Sequence, residues 1–305
     1  MLSGMPEAGT VVYLAASRSE CDERAFMLAA VGIRSSVDFD GLQHALRVDP
    51  SDLAVALGQL QAYEAERRAA PAPAAAPASA PRVHAGSWAG ALAFAGVLVF
   101  VALAVGNGFW PPDAFERGEL SGAAVQAGEW WRAWTALTLH ADAAHLAANL
   151  GAGVWFGTLA ARQLGVGNAW LLIVTGAASA NLFDAHFGPD SYRSVGASTA
   201  VFTALGLMAA HSWRTRFYLP QRPVMRWAPL VAGVILLGWF GSAGEGTDLV
   251  AHALGFIVGG LLGVAAAYPG MAAVLDRVPQ WAAGLLAFGS VAVAWGRALS
   301  HSLSS

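Results

Sequence analysis

The feature that most constrains this chain is a series of long apolar stretches that begins near residue 87. Each is close to the roughly 20 residues that an α-helix needs to cross a bilayer. Of the 305 residues, 56% are hydrophobic and 12% are charged, whereas soluble domains contain roughly 25% charged residues. We therefore predict a mainly α-helical, polytopic membrane bundle of about seven transmembrane helices. The spans lie near residues 87–106, 143–161, 168–187, 195–213, 227–243, 248–268 and 280–299.

The chain divides into four regions by composition. Residues 1–68 alternate strand-like and helix-like patterns and predict a small soluble α+β domain of βαββα order. Residues 69–86 form a Pro/Ala-rich linker. Residues 87–268 form a six-span core, and residues 269–305 add a seventh helix and a tail. The first region has no cluster of catalytic side chains, which favours an accessory module with a possible cytosolic partner.

The positions of the charged residues predict the orientation of the spans. Four arginines follow the fourth span, and such connections are typically cytoplasmic: Arg214, Arg216, Arg222 and Arg226. The first loop is mainly acidic and is predicted to be external. The N-terminal domain is then cytoplasmic, and its start does not resemble a signal peptide. These features predict a multi-pass protein of the inner cell membrane. The net charge of −3 argues against nucleic acid as a partner.

A serine and a histidine on different spans could form a nucleophile and its base. Ser198 follows Gly196 at the external start of the fourth span, where helix N–H groups and the positive dipole end would face an oxyanion. His252 lies about one turn into the sixth span from the same side. Phe202, one turn below Ser198, could stack on the imidazole. A single serine in a membrane helix is usually a packing residue, and a single histidine there usually has a structural role. Because Ser198 and His252 are predicted to lie at the same depth in the membrane, a catalytic pair is favoured.

The second span begins with three further polar side chains. His145 and Asn149 are four residues apart and therefore share one face of the helix. Both can donate hydrogen bonds into the bundle, which makes them candidates for an oxyanion hole together with the N–H of Ser198. His140, ahead of this helix, is predicted to orient the loop and the helix.

Together these motifs resemble the rhomboid intramembrane serine proteases over roughly residues 87–268. The order and spacing of four motifs carry the resemblance. They are Trp131-Arg132, His140-x4-His145-x3-Asn149, Gly196-x-Ser198-x3-Phe202 and Ala251-His252-x2-Gly255-x3-Gly259. The helix at 280–299 lies outside the common six-helix core, as in family members with an added C-terminal helix.

The resemblance implies a Ser–His dyad in a water-filled cavity that opens to the external, periplasmic side. Ser198 would be the nucleophile and His252 the general base, with His145, Asn149 and the Ser198 amide as the oxyanion hole. It also implies supporting roles. Gly196 would keep the entry turn open, and Phe202 would pack under His252. Arg132 would brace the first loop. Residues 241–248 would form a mobile cap, and Trp239 and Phe240 would line a substrate gate. The tryptophans around Trp131 fit an ordinary aromatic belt equally well.

By the same resemblance, the substrates are single-span membrane proteins cleaved near the external membrane face, and no cofactor or metal is needed. Two other functions remain open at this stage. One is a non-catalytic scaffold or binder on the same fold. The other is a haem-binding redox protein that uses histidines of different spans, which are His145, His186, His211 and His252. A zinc protease is disfavoured because HADAAH is not an H-E-x-x-H motif.

Overall fold

The N-terminal unit has the predicted βαββα order. Its elements are β1 (Thr10–Ala15), α1 (Arg18–Ala30), β2 (Ser35–Phe39), β3 (His44–Val48) and α2 (Leu53–Ala69). The strands form one antiparallel sheet in the order β1-β3-β2. Alternate residues of β3 point to opposite faces, and Leu46 and Val48 are fully buried with Cys21 and Leu28 of α1. The lone cysteine is therefore a core residue of this unit.

Each predicted membrane span corresponds to a long α-helix in the structure, a computed structural model that describes residues 9–69, 84, 86–217, 219, 222–241 and 248–301. Most of the predicted linker lies outside these residues. Contacts divide the chain into one unit up to Ala80 and one from Pro81 onward. The elements of the second unit are α3 (Trp88–Gly106), α4 (Ala114–Gly118), β4 (Leu120–Ser121), α5 (Gly122–Gln126), α6 (Arg132–Thr135), α7 (Ala143–Leu164), α8 (Val166–Phe187), β5 (Arg193–Ser194), α9 (Ser198–Arg216), α10 (Pro223–Gly241), α11 (Leu249–Ala266), α12 (Pro269–Arg277) and α13 (Gln280–Ser300).

Among the described residues, four of these helices are long and apolar enough to cross a membrane by composition, namely α3, α8, α11 and α13. The remaining predicted spans are also helical, but α7 and α9 contain polar side chains that lower their hydropathy. Several of these are buried inside the bundle, among them Asn149, Thr199 and Thr203. Polar side chains in membrane helices are costly and typically face the protein interior. The fold is therefore a multi-pass membrane helix bundle.

The closest helix packing in the bundle is between α9 and α11. Gly255, Gly259 and Gly263 recur every fourth residue and so share one face of α11. A Cβ added at these glycines would lie within 3.0 Å of carbonyl oxygens of α9, those of Thr199, Thr203 and Leu207 in turn. The absence of side chains lets the two backbones approach, as small residues do in membrane helices. The contact fixes the register of α11 along α9.

The first loop, between α3 and α7, is built from short helices around a buried arginine. The guanidinium of Arg132 donates to the carbonyl oxygens of Glu116 and Glu119 at 2.6 and 2.8 Å, and to the Glu129 carboxylate at 2.7 Å. Arg132 is only 4% exposed, so these bonds replace the water that its charge would otherwise need. The loop is thus a packed element of the bundle.

We predict that Gly259→Ala destabilises the helix pair, because the added methyl group would overlap the Thr203 carbonyl of α9. Overpacking of this kind costs about 1–3 kcal/mol. Thermal unfolding in detergent should show a lower midpoint. The control is Gly96→Ala on α3, where a Cβ would meet nothing within 4 Å. Equal midpoints for the two variants would contradict the tight α9–α11 contact.

Candidate active site

The site begins at the turn that leads into α9. Gly196 has a φ of +136°, in a region where side chains are strongly disfavoured. Its N–H donates to the carbonyl oxygen of Ala136 at 2.9 Å. A Cβ here would also lie 2.8 Å from the ring of His145. Both backbone conformation and space therefore require glycine two residues before Ser198.

Ser198, Phe202 and His252 lie where α9 faces α11. Ser198 and Phe202 are four residues apart and share one face of α9. The imidazole of His252 lies against the ring of Phe202, with centroids 4.5 Å apart and planes inclined by 39°. The carbonyl of Thr199, which follows Ser198, contacts α11 at Gly255, three residues after His252. The hydroxyl and the imidazole thus belong to facing stretches of the two helices, and His252 is buried.

His145 lies on the other side of the same turn. The position that a Cβ of Gly196 would take is 2.8 Å from Nε2 of His145 and 3.6 Å from Oγ of Ser198. Asn149 is buried one turn further along α7, and its amide donates to the His145 carbonyl at 3.2 Å. Asp142 caps this helix by accepting the His145 N–H at 2.8 Å. The imidazole and the start of α9 therefore border a common space.

His140 connects the first loop to the residue before the serine. Its Nε2 accepts the N–H of Ala197 at 3.3 Å, so this ring must be neutral at Nε2. Its ring centroid lies 5.0 Å from that of His145, edge to face. Burial, reinforced by the neighbouring His145, lowers the pKa of His140 to about 4. His140 thus holds the backbone just before Ser198 from the first loop. It does not lie on α9 or α11, the helices that carry Ser198 and His252.

A tyrosine and two aspartates anchor the start of α11, and no sequence motif connects the three residues. Asp248 could be expected to face water at the end of its span, but it is half-buried, accepts the Ala251 N–H at 3.0 Å and caps the helix. The hydroxyl of Tyr192 contacts the carboxylate of Asp248 and donates to Asp184 at 2.8 Å. Burial raises the pKa of Tyr192, so the phenol remains a donor. The helix that carries His252 is therefore fixed at its first turn.

The proposed gate and cap are described only in part. Trp239 on α10 is 74% exposed on the surface of the bundle. The side chain of Phe240 and residues 242–247 of the cap lie outside the described residues. Trp131 is 4% exposed, and the ring of His301 lies 5.0 Å from its own. Trp131 is therefore a core residue of the loop, and an aromatic belt at the lipid interface does not account for it.

The other histidines considered for haem lie elsewhere. His211 is near the opposite end of α9, where its Nδ1 lies 3.0 Å from Oε1 of Gln163. His186, near the end of α8, packs edge to face against Phe187 at 5.0 Å. In the described ranges, no group of three or more His, Cys, Asp or Glu side chains is arranged to hold a metal ion.

Comparison with known proteins shows what the region that carries this candidate site is similar to. The model of the Rhomboid domain matches residues 127–269, a range that includes the site residues from Trp131 to Gly259. This part of the chain is therefore similar to the rhomboid family. It is also 32% identical, over 173 residues, to the "Rhomboid protease GluP" of Bacillus subtilis (strain 168). That alignment covers 56% of this chain and 32% of the length of the relative.

The unit that contains the candidate site should lose stability in mild acid because of His140. Its pKa of about 4 in the folded protein lies below the ordinary value of 6.5. Between these values the unfolded chain binds a proton that the folded chain does not, so stability falls as the pH falls. We expect the unfolding midpoint to decrease from pH 7 to pH 5. In His140→Gln, whose amide oxygen can accept the Ala197 N–H, the decrease should be smaller. If the unfolding midpoint decreased equally with pH in wild type and in His140→Gln, His140 would not be the group responsible.

Proposed function

We propose that this chain is a rhomboid-type intramembrane serine endopeptidase with Ser198 as nucleophile and His252 as general base. The observation that carries the proposal is the arrangement of α9 and α11. The serine opens one helix, and the imidazole lies against Phe202 on the facing stretch of the other. A nucleophile next to a base is the arrangement that activates a hydroxyl group. The resemblance of the matched region to a rhomboid protease supports the same chemistry.

In the proposed reaction, His252 accepts the proton of Ser198 while Oγ attacks the scissile carbonyl carbon. The tetrahedral intermediate then collapses to an acyl-enzyme as the protonated imidazole gives its proton to the leaving amine. Water, activated by the same imidazole, releases the acyl group and regenerates the serine. The phenyl ring of Phe202, whose centroid lies 4.5 Å from that of the imidazole, orients the base.

The oxyanion would lie between the start of α9 and the face of α7. The Ser198 N–H is at the helix start, where no intrahelical partner exists and the dipole favours negative charge. His145 borders the same space through Nε2. Asn149 uses one amide hydrogen on the His145 carbonyl, and its second is available for the oxyanion. A donor of this kind contributes roughly 3–4 kcal/mol to lowering the barrier.

We further propose that the site opens to the external, periplasmic side of the inner membrane. Arginines cluster at the opposite end of α9, which favours a cytoplasmic location for that end and for the N-terminus. Substrates are then single-span proteins with helix-destabilising residues near the outer face, because a peptide bond within a helix must be unwound before Ser198 can reach it. Trp239 and Phe240 are proposed to line the entry, and residues 241–248 to cover it.

The function is tested with protein reconstituted into liposomes with a tagged single-span reporter. Ser198→Ala should lower cleavage by at least about 10³-fold and abolish labelling by a fluorophosphonate, because both reactions need the hydroxyl group. His252→Ala should do the same. The matched control is Ser179→Ala, a serine on α8 that bonds to its own helix at Thr175. Equal cleavage by wild type and Ser198→Ala would favour a non-catalytic scaffold.

The entry turn provides a second test. Gly196→Ala should reduce the rate of fluorophosphonate labelling about tenfold or more, since the new methyl group meets the His145 ring and disfavours the positive φ. The control is Gly151→Ala on α7, where a Cβ would meet nothing within 4 Å. Unchanged labelling of Gly196→Ala would show that this turn does not position the nucleophile.

A further inference from the structure

Helix α13 lies beyond the matched rhomboid region but is fixed to the bundle at both ends. At its start, Oε1 of Gln280 accepts the N–H groups of Gly167 and Asn168 at 2.9 and 3.2 Å. Gln280 thereby caps the first turn of α8, where the backbone N–H groups have no partners within the helix. At the other end of α13, Arg117 of the first loop donates to the carbonyl oxygens of Leu299 and His301 at 3.1 and 2.9 Å. The helix is therefore an integral part of the unit.

The first loop also receives a buried indole from α13. Trp295 is 5% exposed, and its Nε1–H donates to Oγ1 of Thr138 at 2.9 Å. Its ring packs against Trp110 with centroids 4.4 Å apart. A Cβ on Gly118 of α4 would also meet this indole. A buried tryptophan N–H needs an acceptor, and the bond specifies how the ring docks.

The acceptor belongs to the segment that holds the residues before Ser198. Thr138 ends a short 3₁₀ helix (Ala136–Thr138), and its hydroxyl donates to the Thr135 carbonyl at 2.7 Å. The Ala136 carbonyl accepts the Gly196 N–H, and His140 accepts the Ala197 N–H. Residues 136–140 therefore lie between α13 on one side and the entry to α9 on the other. A 3₁₀ turn is weakly held by its own bonds, so its neighbours determine its position.

We infer that Trp295 is a positioning residue for the nucleophile, acting through Thr138 on the segment that fixes the turn before Ser198. The inference rests on the proposed protease function. Helix α13 would then influence the geometry of the active site through the first loop. Loss of the indole N–H should loosen residues 136–140 and move the Ser198 amide away from the place where the oxyanion forms. Such a change affects the chemical step more than substrate binding.

The test compares Trp295→Phe, which keeps an aromatic ring but removes the donor, with Trp281→Phe. Trp281 is on the same helix and is 75% exposed. For the reconstituted reporter, kcat of Trp295→Phe should fall about fivefold with KM within about twofold, and the rate of fluorophosphonate labelling should fall in parallel. Trp281→Phe should match wild type. All rates are measured well below the unfolding midpoint of each variant, so that a fraction of unfolded protein cannot account for the loss.

A double-mutant cycle with Thr138→Val separates positioning from packing. If Trp295 acts through Thr138, the double variant should be no slower than the slower single variant, because both changes break the same connection. Losses that multiply, or a kcat of Trp295→Phe equal to that of Trp281→Phe, would overturn the inference while leaving the protease function intact. Wild-type protein that neither cleaves the reporter nor reacts with the fluorophosphonate would overturn both proposals.

Discussion

The rest of the site depends on the close contact between α9 and α11. Glycines at every fourth position of α11 meet carbonyl oxygens at every fourth position of α9, so the two helices fit in one register. Between membrane helices, packing and polar contacts provide the association that the hydrophobic effect provides in water. Close approach also permits weak Cα–H···O bonds. A shift of α11 by one residue would bring side chains into this interface and remove His252 from Phe202.

The opposite side of the site is held by the first loop. Its buried arginine, short helices and the segment 136–140 form a rigid support that accepts the N–H groups of Gly196 and Ala197. These bonds hold a turn whose positive φ at Gly196 would otherwise be one of many conformations open to glycine. The proposed nucleophile, Ser198, thus lies between a helix–helix contact that fixes His252 and a loop that fixes the backbone before the serine. A turn held in this way preorganises the Ser198 N–H, which we propose as a donor to the oxyanion.

The helices could be predicted from the sequence, and so could the pairs of site residues that lie one turn apart on the same helix. Span length predicted the bundle, and four-residue spacings placed Ser198 with Phe202 and His145 with Asn149 on common faces. The bonds of Tyr192 to Asp184 and Asp248 could not be predicted, because they join separate segments without any motif. Trp295 was also missed, since a tryptophan in an apolar span has the same pattern whether it faces lipid or the protein core. Helix α9, the fourth predicted span, begins at Ser198 and not at residue 195, because Gly196 has a conformation that α-helices exclude.

The central claim is that the hydroxyl of Ser198 and the imidazole of His252 meet at the contact of α9 with α11. An experimental structure of the protein after reaction with a fluorophosphonate tests it most directly. The account predicts a phosphorus atom bonded to Oγ of Ser198, a His252 ring within hydrogen-bonding distance of the adduct, and a phosphonyl oxygen directed at His145 and the Ser198 amide. An adduct on another residue, or a His252 ring separated from the adduct by the backbone of α9, would contradict it.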